Sequence, residues 1–311
     1  MEEPQIITAI GAPLPSPARE SEPDRSPLRV ALVQQRFHED PAEHQAALAH
    51  AVALAAQQGA RIVCLQELTL SPYIAIKPDD REAAALRKEP LEDGPTLEFA
   101  RRLATEHDIY VHASLYEAVE DDERGFNTAV CVSPAGELIA QTRKVHIPST
   151  SGYFEDDYFH PGDTGFPVVS IDEAHFGFPT CWDQWFPEVA RIYALDGAEV
   201  LVYPTAIGSE PDHPEFDTQP LWEQIIRSHG IANGTFMIAI NRIGEEEGTE
   251  FYGSSFISDP YGRVLVKAPR ELPAVLVADL DLDQRQDWLG LFPLLNARRP
   301  EVYGRLVEAS S

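Results

Sequence analysis

The sequence predicts a layered α/β domain with helices outside the sheets. Two observations carry this. From Leu28 onward, strand-like and helix-like segments alternate, and the strands fall into two runs, one in each half of the chain. No Pro/Gly-rich linker divides the 311 residues, a length that suits one large domain or two medium ones with a substantial core.

The segments follow in order. Residues 1–27 carry six prolines and many charges around one short apolar run, and read as a flexible tail before a single domain over 28–311. "RVALVQQ" (29–35) is β-rich. "PAEHQAALAHAVALAAQQGA" (41–60) has helical apolar spacing, an early proline and a closing glycine. "RIVCLQEL" (61–68) reads as a buried strand, "TLEFARRLATEHD" (96–108) as a helix and "IYVHASLYEAV" (109–119) as the next strand. Two strands follow over 127–147, joined by the turn Ser133-Pro134-Ala135-Gly136. After a loop over 148–166 come "PVVSI", "HFGFPTC", a helix near 186–196, the strand "EVLVYPTA" and a helix over 220–233. The last strands are "FMIAINRI", "YGSSFISDP", "RVLVKA" and "AVLVADLDL". Periodicity alone fits equally one doubly wound sheet and two sheets packed face to face.

Composition narrows the class. With 51 acidic against 24 basic residues the formal net charge is −27, a surface that repels nucleic acid and anionic membranes. No apolar run approaches the roughly 20 residues that span a bilayer, and the N-terminal stretch lacks a basic region followed by an apolar core. The three cysteines, Cys64, Cys131 and Cys181, lack the spacing of a disulfide scaffold or structural zinc site, so a reducing cytoplasm is expected.

Three residues invite a chemical reading. Cys181 stands between the apolar "HFGFPT" and a segment that turns helical after Pro187, at a strand-to-helix junction. There, backbone N–H groups can stabilise a thiolate or an oxyanion, although a buried cysteine also serves as a small hydrophobe. Cys64 and Cys131, inside strands, read as core. Lys144, one of only four lysines, ends a strand; beside a cysteine its ammonium would favour thiolate, whereas a solvated lysine is the plainer reading. Glu67 ends the mostly apolar "IVCLQEL", where a carboxylate requires either a cationic partner or a catalytic task. All three stand at C-terminal ends of expected strands, which gather into the ligand crevice of α/β sheets. A thiol, a carboxylate base and an ammonium brought together would form an activated nucleophile with charge stabilisation.

"LQEL", "RKVHIP" and "CWDQWFPE" occur in that order, with "YFHPGDTGF" between the second and third, and resemble the catalytic blocks of the nitrilase superfamily of carbon–nitrogen hydrolases. The resemblance runs from about residue 28 to "RRPEVYGRL". It implies a four-layer α-β-β-α sandwich, two packed β-sheets with helices outside. It also implies a homo-oligomer, with the C-terminal extension in subunit contacts, and a mechanism needing no metal or organic cofactor. By the same resemblance Cys181 is the nucleophile, Glu67 the general base and Lys144 the stabiliser of the intermediate. Glu155, in "GYFEDDYFHPGD", is a second glutamate, with Asp156 and Asp157 adjacent in register.

Within the superfamily, "CWDQWFPE" and "YPTAIGSEP" look most like N-carbamoylputrescine amidohydrolases. That implies conversion of N-carbamoylputrescine and water to putrescine, carbon dioxide and ammonia. In relatives acting on N-carbamoyl amino acids the position of Gln184 tends to be an arginine. A neutral residue there removes a carboxylate clamp and favours a cationic or neutral amide or ureido substrate. A diamine needs an acidic group at the far end of its pocket. Among Glu210, Asp212, Glu215 and Asp217, Glu210 is favoured because it follows the strand most closely, although a solvated acidic loop reads equally well. Tyr73, Tyr153 and Trp182 are candidates to line a narrow apolar channel, and the N–H of Trp182 to join Lys144 at the oxyanion. Other N-carbamoyl amines or amino acids, aliphatic amides, or a catalytically silent binding or scaffold protein are the alternatives.

Overall fold

A computed structural model describes residues 2–308. In chain order the strands are β1 (Gln5–Ala9), β2 (Leu28–Gln34), β3 (Ile62–Cys64), β4 (Tyr110–Ala118), β5 (Gly125–Val132), β6 (Leu138–Arg143), β7 (Ser149–Thr150), β8 (Tyr153–Phe154), β9 (Val168–Ile171), β10 (Ala174–Gly177), β11 (Val200–Pro204), β12 (Phe236–Ile240), β13 (Ile243–Glu246), β14 (Thr249–Tyr252), β15 (Phe256–Ser258), β16 (Val264–Lys267) and β17 (Ala274–Leu280). The helices are α1 (Pro41–Gln57), α2 (Arg81–Ala85), α3 (Pro95–His107), α4 (Pro187–Leu195), α5 (Gln219–Asn233) and α6 (Gln284–Leu291).

Two mixed sheets form the centre. One has the order β1-β17-β2-β3-β4-β5-β6, the other β16-β15-β12-β11-β10-β9. Strand alternation decides the layering. Along β2, Val30 and Leu32 belong to the core between the sheets, while Ala31 and Val33 pack with Leu48 and Val52 of α1 and Leu97 and Leu103 of α3. Along β11, Val200 and Val202 face the first sheet, and Leu201 and Tyr203 pack on Val189 of α4 and Trp222 of α5. The result is an α-β-β-α sandwich. Periodicity had left the one-sheet and two-sheet arrangements open; these contacts choose two. Cys64 and Cys131 lie in the core between the sheets as free, fully buried thiols.

Helix punctuation follows the sequence. The Asp40 carboxylate accepts from the N–H groups of Ala42 and Glu43 at 2.8 and 3.1 Å, and Pro41 opens α1. Gly234 closes α5 in the left-handed region, at φ 64°.

Four elements depart from expectation. The described part of the expected free tail is anchored: β1 pairs in parallel with β17, and Arg19 and Arg25 reach Asp281 and Asp283, each at 2.7 Å. The β-branched "QIIT" offers a strand to an otherwise open sheet edge, and buried carboxylates receive the arginines. The strand expected over 61–68 ends at Cys64, leaving Glu67 on an irregular segment. The strands read from "FMIAINRI" and "YGSSFISDP" shorten to β12 and β15, and the β13–β14 hairpin lies between them, with Asn241 and Gly253 outside any ladder. Helix α6 had no counterpart in the reading.

Candidate active site

Each charged candidate is delivered by a strand end or the segment beyond it. Lys144 follows directly on β6, its N–H donating to the Asn127 carbonyl at 2.8 Å. Glu67 lies three residues past β3, beside Leu68, whose φ of 48° is left-handed and costly for a leucine. Cys181 begins a single 3₁₀ turn, Cys181–Trp185, and is itself left-handed at φ 40°, so the nucleophile candidate sits on a sharp bend beyond β10.

The three charged side chains meet. Lys144 Nζ donates to Glu67 Oε1 at 3.0 Å and to both oxygens of Glu155, at 2.7 and 2.6 Å. All three residues are fully buried. An ammonium there costs several kcal/mol in lost hydration, on the order of the penalty for any ion moved indoors, and persists only because it is paired. Burial pushes Lys144 towards neutrality, but the carboxylates of Glu155 and Glu67 outweigh it and hold the lysine protonated. Burial raises Glu155 above the usual carboxylate range, with Lys144 opposing and Glu67 adding to the rise. The Tyr73 hydroxyl donates to Glu155 Oε1 at 2.7 Å. Asn127 Nδ2 donates to Glu67 Oε1 at 2.7 Å, while Glu67 Oε2, equally buried, has no hydrogen-bond partner among the described residues. One oxygen of Glu67 is thus fixed and the other is free to accept a proton.

Cys181 belongs to the same electrostatic group, coupled to Glu67, Lys144 and Glu155. Lys144 favours the thiolate, as expected, but it is not the largest influence on the sulfur. Burial, then the negative charge of Glu67, push the thiol well above its usual pKa; Lys144 and a backbone hydrogen bond from Ala206 oppose them without prevailing. Burial and the charge of Glu67 thus favour the neutral thiol over the thiolate.

A cavity of about 340 Å³ opens onto this group. Cys181, Glu155, Tyr153, Trp182, Trp185 and Glu210 line it, and Asp212 and His213 stand at its wall. No lysine or arginine is among its lining residues. Tyr153 also holds the acidic loop, its hydroxyl accepting from the N–H of Gly208 at 2.9 Å. Burial raises Glu210 somewhat, and Thr218 Oγ1 stands 3.4 Å from Glu210 Oε1. Of the expected channel residues, Tyr153, Trp182 and Glu210 are placed on the cavity. Tyr73 is not: it lies behind Glu155 as a hydrogen-bond donor. Gln184 is not either; it is fully buried behind the turn, where its Oε1 accepts from Trp222 Nε1 at 2.7 Å. A side chain one step further round the 3₁₀ turn, Trp185, takes the cavity position instead. Glu215 and Asp217 lie outside this cavity.

Other participants went unread in the sequence. Asn127 was hidden inside a strand, where an asparagine beside an apolar run was the only clue. Ala206 contributes only backbone. Asp183, buried, accepts from the N–H of Thr180 at 3.2 Å and from the N–H and Nδ1 of His146 at 2.9 and 2.7 Å, and so fastens the cysteine turn to the segment after Lys144. Among the described residues, no group of three or more His, Cys, Asp or Glu side chains is placed to hold a metal ion, and no helix is long and apolar enough to cross a membrane.

The chain is similar to known proteins along most of its length. The carbon–nitrogen hydrolase family profile matches residues 29–289. The chain is 36% identical over 284 residues to a citrullinase of Francisella tularensis subsp. tularensis, covering 90% of this chain and 98% of that protein. It is 38% identical over 296 residues to an N-carbamoylputrescine amidase of Arabidopsis thaliana, covering 91% and 96%. Among solved structures, a carbon–nitrogen hydrolase from Helicobacter pylori G27 superposes with a TM-score of 0.80 at 30% identity, over 92% of this chain and all of that one. A mutant of the amidase from Nesterenkonia sp. AN1, in which the acetamide moiety of fluoroacetamide is covalently added at the active site cysteine, matches with a TM-score of 0.73 at 25% identity over 93% of this chain and 100% of that one.

Proposed function

The chain belongs to the carbon–nitrogen hydrolase family, and from that premise we propose that it hydrolyses N-carbamoylputrescine to putrescine, carbon dioxide and ammonia, with Cys181 as nucleophile. The observation that carries the reading is the buried Lys144 bridging Glu67 and Glu155 directly behind a cavity-lining cysteine.

In this mechanism the free Oε2 of Glu67 takes the thiol proton as sulfur attacks the ureido carbon, so thiolate forms only as it is consumed. Lys144 and the N–H of Trp182 hold the oxyanion, and Glu155 holds Lys144 in place. Glu67 returns the proton to the departing nitrogen, leaving an acyl group on sulfur. It then deprotonates water, whose attack on the acyl carbon frees the cysteine. The carbamate that is formed loses carbon dioxide. The steps need no metal or organic cofactor, and the expected homo-oligomer, with C-terminal residues such as Val302 and Leu306 in subunit contacts, belongs to the same proposal; both side chains are exposed here.

The cavity wall supports a cationic substrate: Glu210 and Asp212 face a lining free of lysine and arginine. A second reading, hydrolysis of citrulline, has the Francisella relative in its favour, but its substrate carboxylate would meet like charge. Ammonia release from N-carbamoylputrescine, citrulline, N-carbamoyl-β-alanine and butyramide separates them. The expected kcat/KM is highest on the first by about 10-fold or more, since like-charge juxtaposition is costly. Equal or faster turnover of citrulline overturns the substrate assignment. Stoichiometric labelling of Cys181 with no turnover of any amide points to the silent binding protein.

A further inference from the structure

Arg242 is a fully buried arginine outside the cavity lining. A guanidinium in the interior requires several acceptors, and these acceptors are informative. Its Nη2 donates to the Glu67 carbonyl at 2.7 Å and to the Ser71 carbonyl at 3.2 Å, with the Leu68 carbonyl at 3.4 Å. Its Nη1 donates to Glu246 Oε1 at 2.6 Å. The other oxygen of Glu246 accepts from the N–H of Tyr73 at 2.7 Å, and the Tyr73 hydroxyl reaches Glu155. One ion pair therefore holds both ends of the irregular segment 67–73, the segment that carries the base candidate at one end and the donor to the second glutamate at the other. At its centre Leu68 keeps a backbone conformation that a leucine adopts only when its surroundings impose it.

We propose that Arg242 and Glu246 are positioning residues for the hydrolysis: they brace the strained 67–73 segment so that Glu67 and, through Tyr73, Glu155 both face Lys144. The proposal rests on the assignment of Glu67, Lys144 and Cys181 made above. Neither brace residue touches the substrate cavity, so its influence is on turnover and not on substrate affinity.

The test uses the full chain as Glu246→Gln and Arg242→Lys, with folding followed by circular dichroism and thermal midpoint. Activity is read as kcat and KM on the best amide of the panel, and the site independently as the pH–rate profile of Cys181 alkylation by iodoacetamide. Misplacing a reacting group by about 1 Å costs up to about 100-fold in rate, so kcat is expected to fall by about 10- to 100-fold with KM within about 3-fold. The acid limb of the alkylation profile is expected to move with it. Combining Glu246→Gln with Tyr73→Phe should cost less than the product of the separate losses, as residues in one chain of contacts do. If Arg242→Lys fails to fold, Glu246→Gln, on a surface hairpin, carries the test. Folded variants with wild-type kcat and an unmoved profile, or a loss confined to thermal stability, overturn the brace. Failure of the underlying reading looks different: Cys181→Ala or Glu67→Gln would then retain turnover.

Discussion

Lys144 Nζ lies 2.6 Å from Glu155 Oε2, and both side chains are buried. An ammonium so placed keeps its charge only while an ionised carboxylate stays beside it, and Glu155 is the larger of the two influences that hold it protonated. Lys144→Ala and Glu67→Gln each remove one member of a buried charged set, and Cys181→Ala removes the sulfur. Each is expected to lower kcat by at least about 1,000-fold, as loss of a nucleophile or its base does, with circular dichroism unchanged. Wild-type turnover by Cys181→Ala would exclude the mechanism.

The pH dependence follows from Glu155. Its carboxyl is raised towards about 7, first by burial. Protonation there removes one anchor of Lys144, so activity is expected to fall as pH drops through that region. The Tyr73 hydrogen bond favours the charged form. Tyr73→Phe should therefore move the acid limb to higher pH and lower kcat by about 10-fold, the worth of one hydrogen bond to a charged group. An acid limb that stays put in Tyr73→Phe contradicts this role for Glu155.

A neutral resting thiol is a measurable state. Ultraviolet difference absorbance of wild type against Cys181→Ala near 240 nm (about the thiolate band) is expected to stay flat through neutral pH, because burial and Glu67 suppress ionisation. A full thiolate signal at pH 7 would replace the proton transfer to Glu67 with a preformed ion pair.

Glu210→Gln tests the substrate end. The loss of one partly buried negative charge should raise KM for a diamine-derived substrate by about 10-fold and leave butyramide hydrolysis unchanged. An equal effect on both substrates would make Glu210 a structural residue of its loop.

Acid stability has its own source. Burial holds His112, stacked on Phe178 with ring centroids 5.2 Å apart, at about 3, and His44 at about 4. Both values lie below that of an unfolded histidine, so the unfolded chain binds more protons as pH falls below about 6.5. The contribution is complete above that pH and is lost between it and the folded values. His112→Leu should flatten the decline of thermal midpoint between pH 6 and pH 4, which calorimetry reads directly.

Much of this was legible from residue order. Alternating strands and helices carried the α/β class, three motif blocks carried Glu67, Lys144 and Cys181, and the loop between the second and third carried Glu155. Period-2 burial could not choose one sheet or two, because both arrangements bury each face of a strand. Gln184 was expected at the substrate and Trp185 was not singled out; Trp185 lines the cavity because a 3₁₀ turn rotates each successive side chain by roughly a third of a circle, which spacing along the chain does not display. Asn127 and Arg242 act from strands and strand ends that meet the site only after both sheets are assembled. The tail reading weighed prolines and charges, while β1 forms because a distant strand needs a neighbour.

That neighbour protects the molecule. β17 lies second from the rim of its sheet only because five residues near the start of the chain lie alongside it. Cleavage of the first 27 residues would bare the edge of β17 over the five residues that β1 covers, on an almost wholly apolar strand, a template for one molecule to add to the next. Proteolytic trimming that leaves every catalytic atom untouched would thus be expected to turn a well-behaved protein into a polymerising one.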